Sequence, residues 1–341
     1  MHFLDVGQGD ATLLVAPDAT LLIDAGRHDR NDVVPLLTAA GVTELDVVAI
    51  THGHADHIGQ LDSVLDSLAV AEVWMPGTSH TTQTFSRALS AIERSDAAYE
   101  EPRAGQTTTV GSLTVQVLHP ASLSGDIDTD MLTLRVSYGS VSFLFTGDAE
   151  ADVEAAIVSR HGSGLASTVY QVGHHGSNTS TSAEFLAAVR PQVAVYSASA
   201  GNQYGHPHDE VVTRLAGAGI DIYGTPTHGT VIVRTDGTTY SVATSRSAPV
   251  ISTPPAQVVT PVPIAAPPPP PPVTGGCAPG QVDINSATYE QLQLIIHIGP
   301  VRAAEIPSLR PFGSVDDLDR VNGIASARLA DIKAQGVACV G

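Results

Sequence analysis

Metal-binding side chains are concentrated in one short string of the sequence, THGHADHIG. The string follows the apolar segment Asp46–Ile50 and places His52, His54, Asp56 and His57 within six residues. Imidazole and carboxylate groups are the ligands that zinc, manganese and iron prefer in proteins. Residues two apart on an extended turn point the same way, so we expect His52 and His54 to bind one ion. Asp56 and His57 then face a second ion.

This string resembles the HxHxDH signature of the metallo-β-lactamase superfamily, and three other segments support the resemblance. Asp24, in LLIDAG, stands where the family has an aspartate at a strand end near the metal loop. Asp148, in FLFTGDAE, matches the bridging aspartate whose carboxylate binds both ions. In QVGHHGSNTS, His175 is then the last ligand of the second ion, and His174 faces the substrate. The resemblance implies a hydrolase that uses two divalent ions, zinc or manganese.

Five strings narrow the resemblance to the soluble domain of ComEC-type competence proteins, over residues 1–245. They read FLDVGQGDATLL, THGHADHIG, FLFTGDAE, VGHHGSNTSTS and YGHPHDEV. In that family the domain is regarded as a nuclease that acts on the DNA strand that is not taken up. The phosphorylcholine esterases of bacterial surfaces share a related arrangement. Phosphodiester hydrolysis is therefore the implied chemistry, and a substrate without nucleic acid, such as a phosphorylcholine-type ester or a lactone, is the first alternative.

The resemblance also assigns roles around the reacting phosphate. A shared hydroxide, made available at neutral pH by the two ions, attacks phosphorus in line while the ions stabilise the charge on the other oxygens. His206 or His208, in YGHPH, donates a proton or a hydrogen bond to the phosphate. With Asp56, Asp148 and His174 these histidines form the expected catalytic set. The loop after His175 is expected to contact phosphate through Ser177, Asn178 and Ser180.

The sequence departs from the family pattern at two points. The family usually has Asn and Ser before the strand that leads to the bridging aspartate, whereas this chain has Asp128 and Met131. Many members also have a third histidine on the first ion. His119, in VLHPAS, is the nearest candidate for that ligand, and water is the alternative.

The hydrophobic pattern predicts the elements that position these residues. Short apolar or β-branched runs predict strands at His2–Val6, Thr12–Ala16, Thr20–Asp24, Asp46–Ile50, Glu72–Met75, Leu113–Leu118, Leu132–Ser137, Ser142–Phe145, Thr168–Val172, Val193–Tyr196, Ile220–Tyr223 and Thr230–Arg234. Helical patterns lie between several of them, for example at Phe85–Arg94, Glu150–Arg160, Glu184–Val189 and Glu210–Ala216. Sheets covered by helices on their outer faces are the expected result, which agrees with the α/β, αββα sandwich of the metallo-β-lactamase fold.

The composition changes near Ala248. Residues 250–276 carry no charge, and proline dominates them, with an unbroken run at Pro267–Pro272. Such a stretch cannot form a core, so we expect an extended polyproline-type spacer. It would separate a hydrolase domain, residues 1–249, from a small domain, residues 277–341.

Residues 281–336 contain two similar units, each with an apolar helix, a tight turn and another helix. The turns are His297–Pro300 and Asn322–Ser326. The segment resembles the helix-hairpin-helix pair of ComEA-type competence DNA receptors, although His297 replaces the first glycine and the second turn ends in Ala325. Such turns aim backbone N–H groups at a phosphate from a helix N-terminus. DNA contacts are therefore expected at Ile298, Gly299, Gly323 and Ile324.

Cysteine usage and charge bear on the setting. Cys277 and Cys339 are the two cysteines of the 341-residue chain and bracket the small domain, which predicts a disulfide and an oxidising compartment. The net charge of −19 is unexpected for a protein that binds nucleic acid. The sequence contains no run of eighteen or more apolar residues, so it predicts no membrane-spanning helix.

We expect an extracellular or cell-surface protein, although no signal peptide is recognisable. DNA is its expected partner, and association with the cell envelope is a further option. The oligomeric state is not indicated. A non-catalytic DNA-uptake factor is the second alternative function.

Overall fold

The computed structural model describes residues 1–251, 277–278, 281–322, 324 and 326–340. The chain divides into two compact units, Met1–Val258 and Val259–Gly341, and each is described by itself. The expected polyproline spacer lies outside the described residues, apart from its first two positions. The domain boundaries therefore stay a prediction, and the division between the two units falls within the proline-rich stretch.

The first sheet of the first unit contains eight strands. They are β1 (His2–Phe3), β2 (Thr12–Ala16), β3 (Ala19–Ile23), β4 (Glu44–Ala49), β5 (Ala69–Trp74), β6 (Ala98–Glu100), β14 (Val231–Thr235) and β15 (Tyr240–Thr244). Their order across the sheet is β15-β14-β1-β2-β3-β4-β5-β6. Strands β3 to β6 run parallel, whereas the others pair in antiparallel fashion.

The second sheet contains seven strands. They are β7 (Thr107–Val110), β8 (Leu113–His119), β9 (Thr133–Tyr138), β10 (Val141–Phe145), β11 (Val169–Gln171), β12 (Val193–Tyr196) and β13 (Asp221–Gly224). Their order is β13-β12-β11-β10-β9-β8-β7. Strands β10 to β13 run parallel, and β7 to β10 are antiparallel.

Alternating side chains of these strands supply the core between the sheets. Leu21 and Ile23 of β3 face Phe143 and Phe145 of β10 in one buried cluster. Leu22, between them in sequence, belongs to a second cluster on the outer face of the first sheet. This alternation follows from the two-residue period of a strand, which sends neighbouring side chains to opposite faces.

Helices cover the two outer faces. The first sheet is covered by α1 (Val33–Ala39), α2 (Leu61–Ser67) and α3 (Gln83–Arg94), and the second by α4 (Ala151–His161), α5 (Ala183–Val189) and α6 (Asp209–Gly217). A short helix, α7 (Thr225–His228), follows β13. The α/β, αββα sandwich expected from the sequence is confirmed.

The second unit is a small helical domain with its own buried core. Its elements are β16 (Val282–Asp283), α8 (Tyr289–Leu292), α9 (Pro300–Leu309), the 3₁₀ segment Val315–Arg320, α10 (Ser326–Gln335) and β17 (Ala338–Cys339). β16 and β17 pair in parallel and bring the two ends of the domain together. A disulfide joins Cys277 to Cys339 across these ends, with the Cα atoms 5.8 Å apart. No helix among the described residues is long and apolar enough to cross a membrane.

Candidate metal centre

The candidate metal ligands lie in loops that follow or precede strands of both sheets. The histidine string follows β4, Asp148 follows β10 and His175 follows β11, while Asp10 immediately precedes β2. The carboxyl ends of parallel strands are the usual place for a ligand site in an open α/β sheet. The two sheets therefore bring four separate loops to one point.

A first group of possible ligands consists of His52, His54 and Asp148. One ligand atom of each lies within 4.8 Å of the others. The Nε2 atom of His52 is 3.0 Å from Nδ1 of His54 and 3.9 Å from Oδ2 of Asp148. These three atoms face one another, so an ion between them would be bound by two imidazoles and one carboxylate.

A second group consists of Asp10, His57, Asp148 and His175, and all four residues are buried. The Nε2 atom of His57 is 3.2 Å from Oδ1 of Asp148, and Nε2 of His175 is 3.7 Å from the same oxygen. Because Asp148 offers Oδ2 to the first group and Oδ1 to the second, its carboxylate lies between the two. This geometry is compatible with the bridging role that the resemblance implies for Asp148.

Asp24 orients the imidazoles of both groups. It accepts hydrogen bonds from the Thr51 backbone N–H at 2.8 Å and from the Thr51 hydroxyl. Its Oδ2 atom is 2.9 Å from Nδ1 of His57, which leaves Nε2 of His57 directed at Asp148. The Thr51 hydroxyl is also 3.1 Å from Nδ1 of His52. Carboxylates and hydroxyls in this position fix the orientation of a metal-binding histidine.

Within the part of the chain that the structure describes, several buried polar atoms of the second group have no hydrogen-bond partner, which bears on whether its residues could bind a cation. Among the described residues, these atoms have no hydrogen-bond partner: both carboxylate oxygens of Asp10, Nε2 of His57, Oδ1 of Asp148 and both ring nitrogens of His175. Buried polar atoms without a partner are rare and costly. The Nε2 atoms of His57 and His175 both face Oδ1 of Asp148, at 3.2 and 3.7 Å, and these are donor atoms for a hard or borderline cation. The Asp10 carboxylate lies beside the Nδ1 atoms of the same two histidines, at 3.9 and 3.8 Å. The residues therefore fit a divalent metal ion.

Electrostatic coupling within the centre shifts the pKa values of its ionisable groups. Burial alone would raise the pKa of Asp148, but the nearby His57 and His175 imidazoles hold it well below its ordinary range. Burial alone would lower the pKa of His175, but the Asp148 and Asp10 carboxylates raise it to about 9. Burial also raises the pKa of Asp10. Without ions, protons on imidazoles balance the carboxylates, and a metal ion that binds must displace those protons.

Asp10 was missed by the sequence analysis, whereas Asp56 was expected to face the second ion. Asp10 lies in the string GQGDA, 42 residues before the first metal-binding histidine, and no local spacing marks it as a ligand. The signal that was available is the family-like string FLDVGQGDATLL, in which Asp10 stands between two apolar segments. Asp56 belongs to neither group of possible ligands. Its Oδ2 atom is nevertheless 3.3 Å from Nε2 of His175, at the rim of the second group, so its expected role as a ligand of the second ion stays a prediction.

His174 and His206 lie beside the centre. The Nε2 atom of His174 is 3.7 Å from Oδ2 of Asp148. His174 and His175 both have positive φ, at 50° and 55°, a strained conformation that is common at functional sites. The His206 ring lies 5.7 Å from the His174 ring, and burial together with His175 lowers its pKa to about 4.

Of the two alternatives in YGHPH, His206 is the one that lies beside the centre. The Nδ1 atom of His208 accepts a hydrogen bond from the Asn178 backbone N–H at 2.9 Å. His208 thus holds the loop expected to contact phosphate. In that loop Ser180 is buried, and its hydroxyl donates to the Ala149 carbonyl at 2.8 Å, so the predicted phosphate contact of Ser180 is wrong.

The other residues of the same loop are also engaged. Ser177 is buried, with its hydroxyl 3.0 Å from that of Thr179. The Asn178 side chain is exposed and donates to Glu210 at 2.9 Å. Asn178 is therefore the accessible member of the expected set, and contact with phosphate requires it to exchange partners.

The two departures from the family pattern have different surroundings. The Nε2 atom of His119 lies 2.9 Å from the Thr129 carbonyl oxygen, and His119 belongs to neither ligand group, so the structure gives no support for it as the third ligand. Asp128 lies at the centre, with Oδ1 3.5 Å from Nε2 of His54. Met131 is buried in the core beneath the second sheet's helices.

The turns of the small domain place two predicted DNA-contact residues in its core. Ile298 and Ile324 are both buried, so their side chains are not available to DNA, and any contact would have to be made by the backbone. Gly299 is the N-cap of α9. Gly323 lies outside the described residues. Arg302 donates to the carbonyls of His297 and Asn322, at 2.9 and 3.0 Å, and so ties the two turns together.

Comparison with known proteins identifies the class. The model of the metallo-beta-lactamase superfamily matches residues 4–200, and a helix-hairpin-helix motif matches residues 279–335. The chain belongs to the metallo-β-lactamase superfamily: it has the fold of a metal-dependent hydrolase and carries a C-terminal helix-hairpin-helix domain.

Among curated proteins the chain is similar to competence proteins, which confirms the resemblance to ComEC-type competence proteins. ComE operon protein 3 of Bacillus subtilis is 30% identical over 254 residues, which cover 69% of this chain and 33% of that protein. Competence protein ComA of Neisseria gonorrhoeae is 33% identical over 230 residues, covering 66% of this chain and 30% of that protein. The chain thus spans about a third of these relatives. A deoxyribonuclease of Thioalkalivibrio sp. is 43% identical over 61 residues, 18% of this chain and 17% of that protein.

Proposed function

We propose that the chain is a metal-dependent DNA nuclease that hydrolyses phosphodiester bonds at a two-metal centre, outside the cytoplasm, in DNA uptake or degradation. One observation carries the proposal: two groups of convergent imidazoles and carboxylates share Asp148. Divalent ions at such a site polarise a phosphoryl group and make water acidic enough to supply hydroxide near neutral pH. Zinc and manganese both suit the donor set.

The chain's own residues have distinct tasks in this proposal. His57 and His52 are oriented by Asp24 and Thr51, which keeps the ligand atoms directed inward. The Nε2 atom of His174 lies 3.7 Å from Oδ2 of Asp148, and the His206 ring lies beside that of His174. From there both would donate hydrogen bonds to the phosphate or to the departing oxygen. Asp56, at the rim, would orient the attacking water.

DNA as substrate is supported by the second unit and by the relatives. Helix-hairpin-helix turns bind the DNA backbone through main-chain N–H groups and need no basic patch, which is consistent with the acidic composition. The competence relatives and the deoxyribonuclease point to the same substrate. The disulfide supports action in an oxidising compartment.

A substrate panel tests the proposal. The full chain, with zinc or manganese, is incubated with linear and plasmid DNA, with a phosphorylcholine-type diester and with a lactone. We expect the wild type to cleave DNA. A chelator should abolish this cleavage, and the Asp148→Asn variant should show none. Hydrolysis of the diester or the lactone without cleavage of DNA would assign a different substrate. DNA binding with no hydrolysis of any substrate would mean a non-catalytic uptake factor.

A further inference from the structure

A cleft opens beside the second group of ligands. It has a volume of about 130 Å³ and is lined by Gln8, Arg27, His28, Ala55, Asp56 and Tyr204. Asp56 connects the cleft to the centre, because its carboxylate is 3.3 Å from Nε2 of His175. A second cleft, of about 310 Å³, adjoins it and shares Gln8, Arg27 and Tyr204. A ligand held at the centre therefore has room to extend past Asp56 toward Tyr204.

Tyr204 presents an aromatic face to this space. Its side chain is 54% exposed, and its ring lies against His206, with centroids 5.6 Å apart and planes inclined by 27°. His206 thus lies against one face of the ring, and more than half of the side chain stays exposed. An exposed aromatic face of this kind is a stacking surface for a nucleobase, as in many proteins that bind single-stranded nucleic acid.

The loop that carries Tyr204 is held in place before any ligand binds. The Asn202 side chain accepts hydrogen bonds from the backbone N–H groups of Tyr204 and His206, at 3.1 and 3.0 Å. It also donates to the carbonyls of Ser199 and His206. The Ser199 N–H in turn donates to Gln8, at the floor of the cleft. A ring fixed by such contacts loses little conformational entropy when a base stacks on it.

Arg27 lies between the two clefts. Its guanidinium is fixed by Asp29, which accepts hydrogen bonds from Nε at 2.8 Å and from Nη2 at 2.7 Å. That contact does not use Nη1. A planar guanidinium held in this way suits an adjacent phosphate or the edge of a base.

We propose that this cleft is a nucleotide subsite in which the base next to the scissile phosphate stacks on Tyr204 while Arg27 contacts its backbone. The inference rests on the proposed function and adds that the base itself, and not only the phosphate backbone, contributes to binding at the centre. Stacking requires a base that is free of its duplex neighbours on one side. The favoured substrate is therefore a strand end or an unpaired segment.

Binding of short oligonucleotides to the full chain tests this inference. A labelled trinucleotide is compared with the same molecule carrying one abasic position, by fluorescence anisotropy, in the wild type, Tyr204→Ala and Tyr204→Phe. Tyr99→Ala is the matched control, since Tyr99 is also exposed, at 41%, but lies on β6 outside the cleft. The two ligands have the same sugar-phosphate backbone, so any affinity that the second unit contributes through that backbone is the same for both.

We expect removal of the base to weaken binding by about tenfold in the wild type, Tyr204→Phe and Tyr99→Ala, the scale of one base stacked on an aromatic ring. In Tyr204→Ala we expect both ligands to bind equally weakly, because the two changes remove the same contact. Equal binding of both ligands by the wild type, or an undiminished base effect in Tyr204→Ala, would overturn the subsite. A Tyr204-dependent base effect in a protein that cuts no DNA would overturn the proposed function and leave the subsite standing.

Discussion

The two ring nitrogens of His54 have different neighbours. Nδ1 faces His52 within the first ligand group, whereas Nε2 lies 3.5 Å from Oδ1 of Asp128. Asp128 lies next to His54 as Asp24 lies next to His57. In each pair a carboxylate approaches one ring nitrogen, and the other nitrogen stays free to bind an ion. We therefore expect the aspartate that departs from the family pattern to position His54 for the first ion.

Replacing Asp128 by alanine tests that role. We expect the affinity of the first group for zinc or manganese to fall about 10- to 100-fold, the usual effect of losing a carboxylate behind a metal-binding histidine. The second group should keep its affinity, because Asp128 contacts none of its residues. Competition titration against a chromophoric chelator measures both. Asp66→Ala is the control, since Asp66 is an exposed carboxylate paired with Arg94, and equal effects of the two substitutions would refute the role.

At the scale of single residues, the sequence predicted those ligands that local spacing marks. His52, His54 and His57 stand in one string, and Asp148 and His175 stand in segments that resemble the family's motifs. Asp10 also stands in a string that resembles the family, FLDVGQGDATLL, but nothing in that string marks it as a ligand, and it lies far in sequence from the histidines that it joins. Ser180 looked like an exposed donor, but its hydroxyl is used by the Ala149 carbonyl. The spacing of residues in the sequence does not show which polar side chains remain without a hydrogen-bond partner after the protein has folded.

At the scale of elements, the turn after β10 controls where Asp148 lies. Gly147 has φ of 54°, and a Cβ atom there would lie 2.8 Å from the hydroxyl of Thr51. That hydroxyl contacts both Asp24 and His52. The glycine therefore allows close approach between the Asp148 turn and the residue that orients the first histidine.

Gly147→Ala should damage both stability and metal binding. Positive φ alone costs an alanine about 1 kcal/mol of unfolding free energy, and the clash with Thr51 adds to that cost. Gly41→Ala is the matched control, since Gly41 has φ of 83° and no atom within 4 Å of its Cβ position. We expect urea denaturation to show a larger loss for Gly147→Ala, with weaker metal binding in that variant alone. Equal losses with unchanged metal binding would contradict the account.

The hydrophobic pattern predicted strands where burial is strongest and missed elements where it is weak. β2 was predicted at Thr12–Ala16, where it lies, because its first three side chains, from Thr12 to Leu14, are buried. β7 was missed, since its threonines are exposed at a sheet edge. Helices α1 and α2, with seven residues each, were not predicted, whereas α5, of the same length, was predicted at Glu184–Val189. The Ser182 side chain caps α5, a contact that α1 and α2 lack. Exposed edge strands and uncapped two-turn helices have a weak local pattern of their own.

At the scale of the whole molecule, the two units have different sources of stability. The first has three buried clusters, whereas the second has one small core and the disulfide. The bond joins residues 62 apart, so on the chain-entropy model it stabilises the second unit by about 4 kcal/mol. The sequence predicted this pairing from the position of the two cysteines, and predicted both classes of domain. The boundaries that it also predicted, after residue 249 and before residue 277, stay a prediction, because nearly all of the proline-rich stretch lies outside the described residues.

Reduction of the disulfide should therefore affect one unit alone. We expect calorimetry of the full chain to show two transitions, and a reductant or Cys277→Ser to lower the midpoint of one of them. The transition of the first unit, which holds both ligand groups and no cysteine, should stay in place. A shift of both transitions, or of neither, would contradict the assignment.

The distribution of charge predicts a division of labour. Residues 277–341 carry seven acidic and five basic side chains and residues 250–276 carry none, which leaves a net charge of −17 on residues 1–249. Such a surface repels DNA at long range, so the helix-hairpin-helix unit should supply the affinity and raise the local DNA concentration.

Truncation after Val258 should leave hydrolysis of a small phosphodiester unchanged but raise KM for long DNA. The difference should shrink as salt rises, because phosphate contacts weaken with salt. Steady-state kinetics on both substrates at two salt concentrations measures the effect. Equal KM values for long DNA with and without the second unit would assign that unit another partner, such as the cell envelope.

The content of divalent ions per chain, measured by plasma mass spectrometry alongside DNA cleavage, tests the two-metal centre most directly. The wild type should hold two ions. His54→Ala should hold one, since only the first group loses a ligand. Asp148→Ala should fill neither site and cut no DNA, because both groups lose their shared carboxylate, while its circular dichroism stays that of the folded protein. His161→Ala, which lies outside both groups, should keep two ions and full activity. Two ions retained by Asp148→Ala, or wild-type cleavage by protein that holds no metal, would contradict the account.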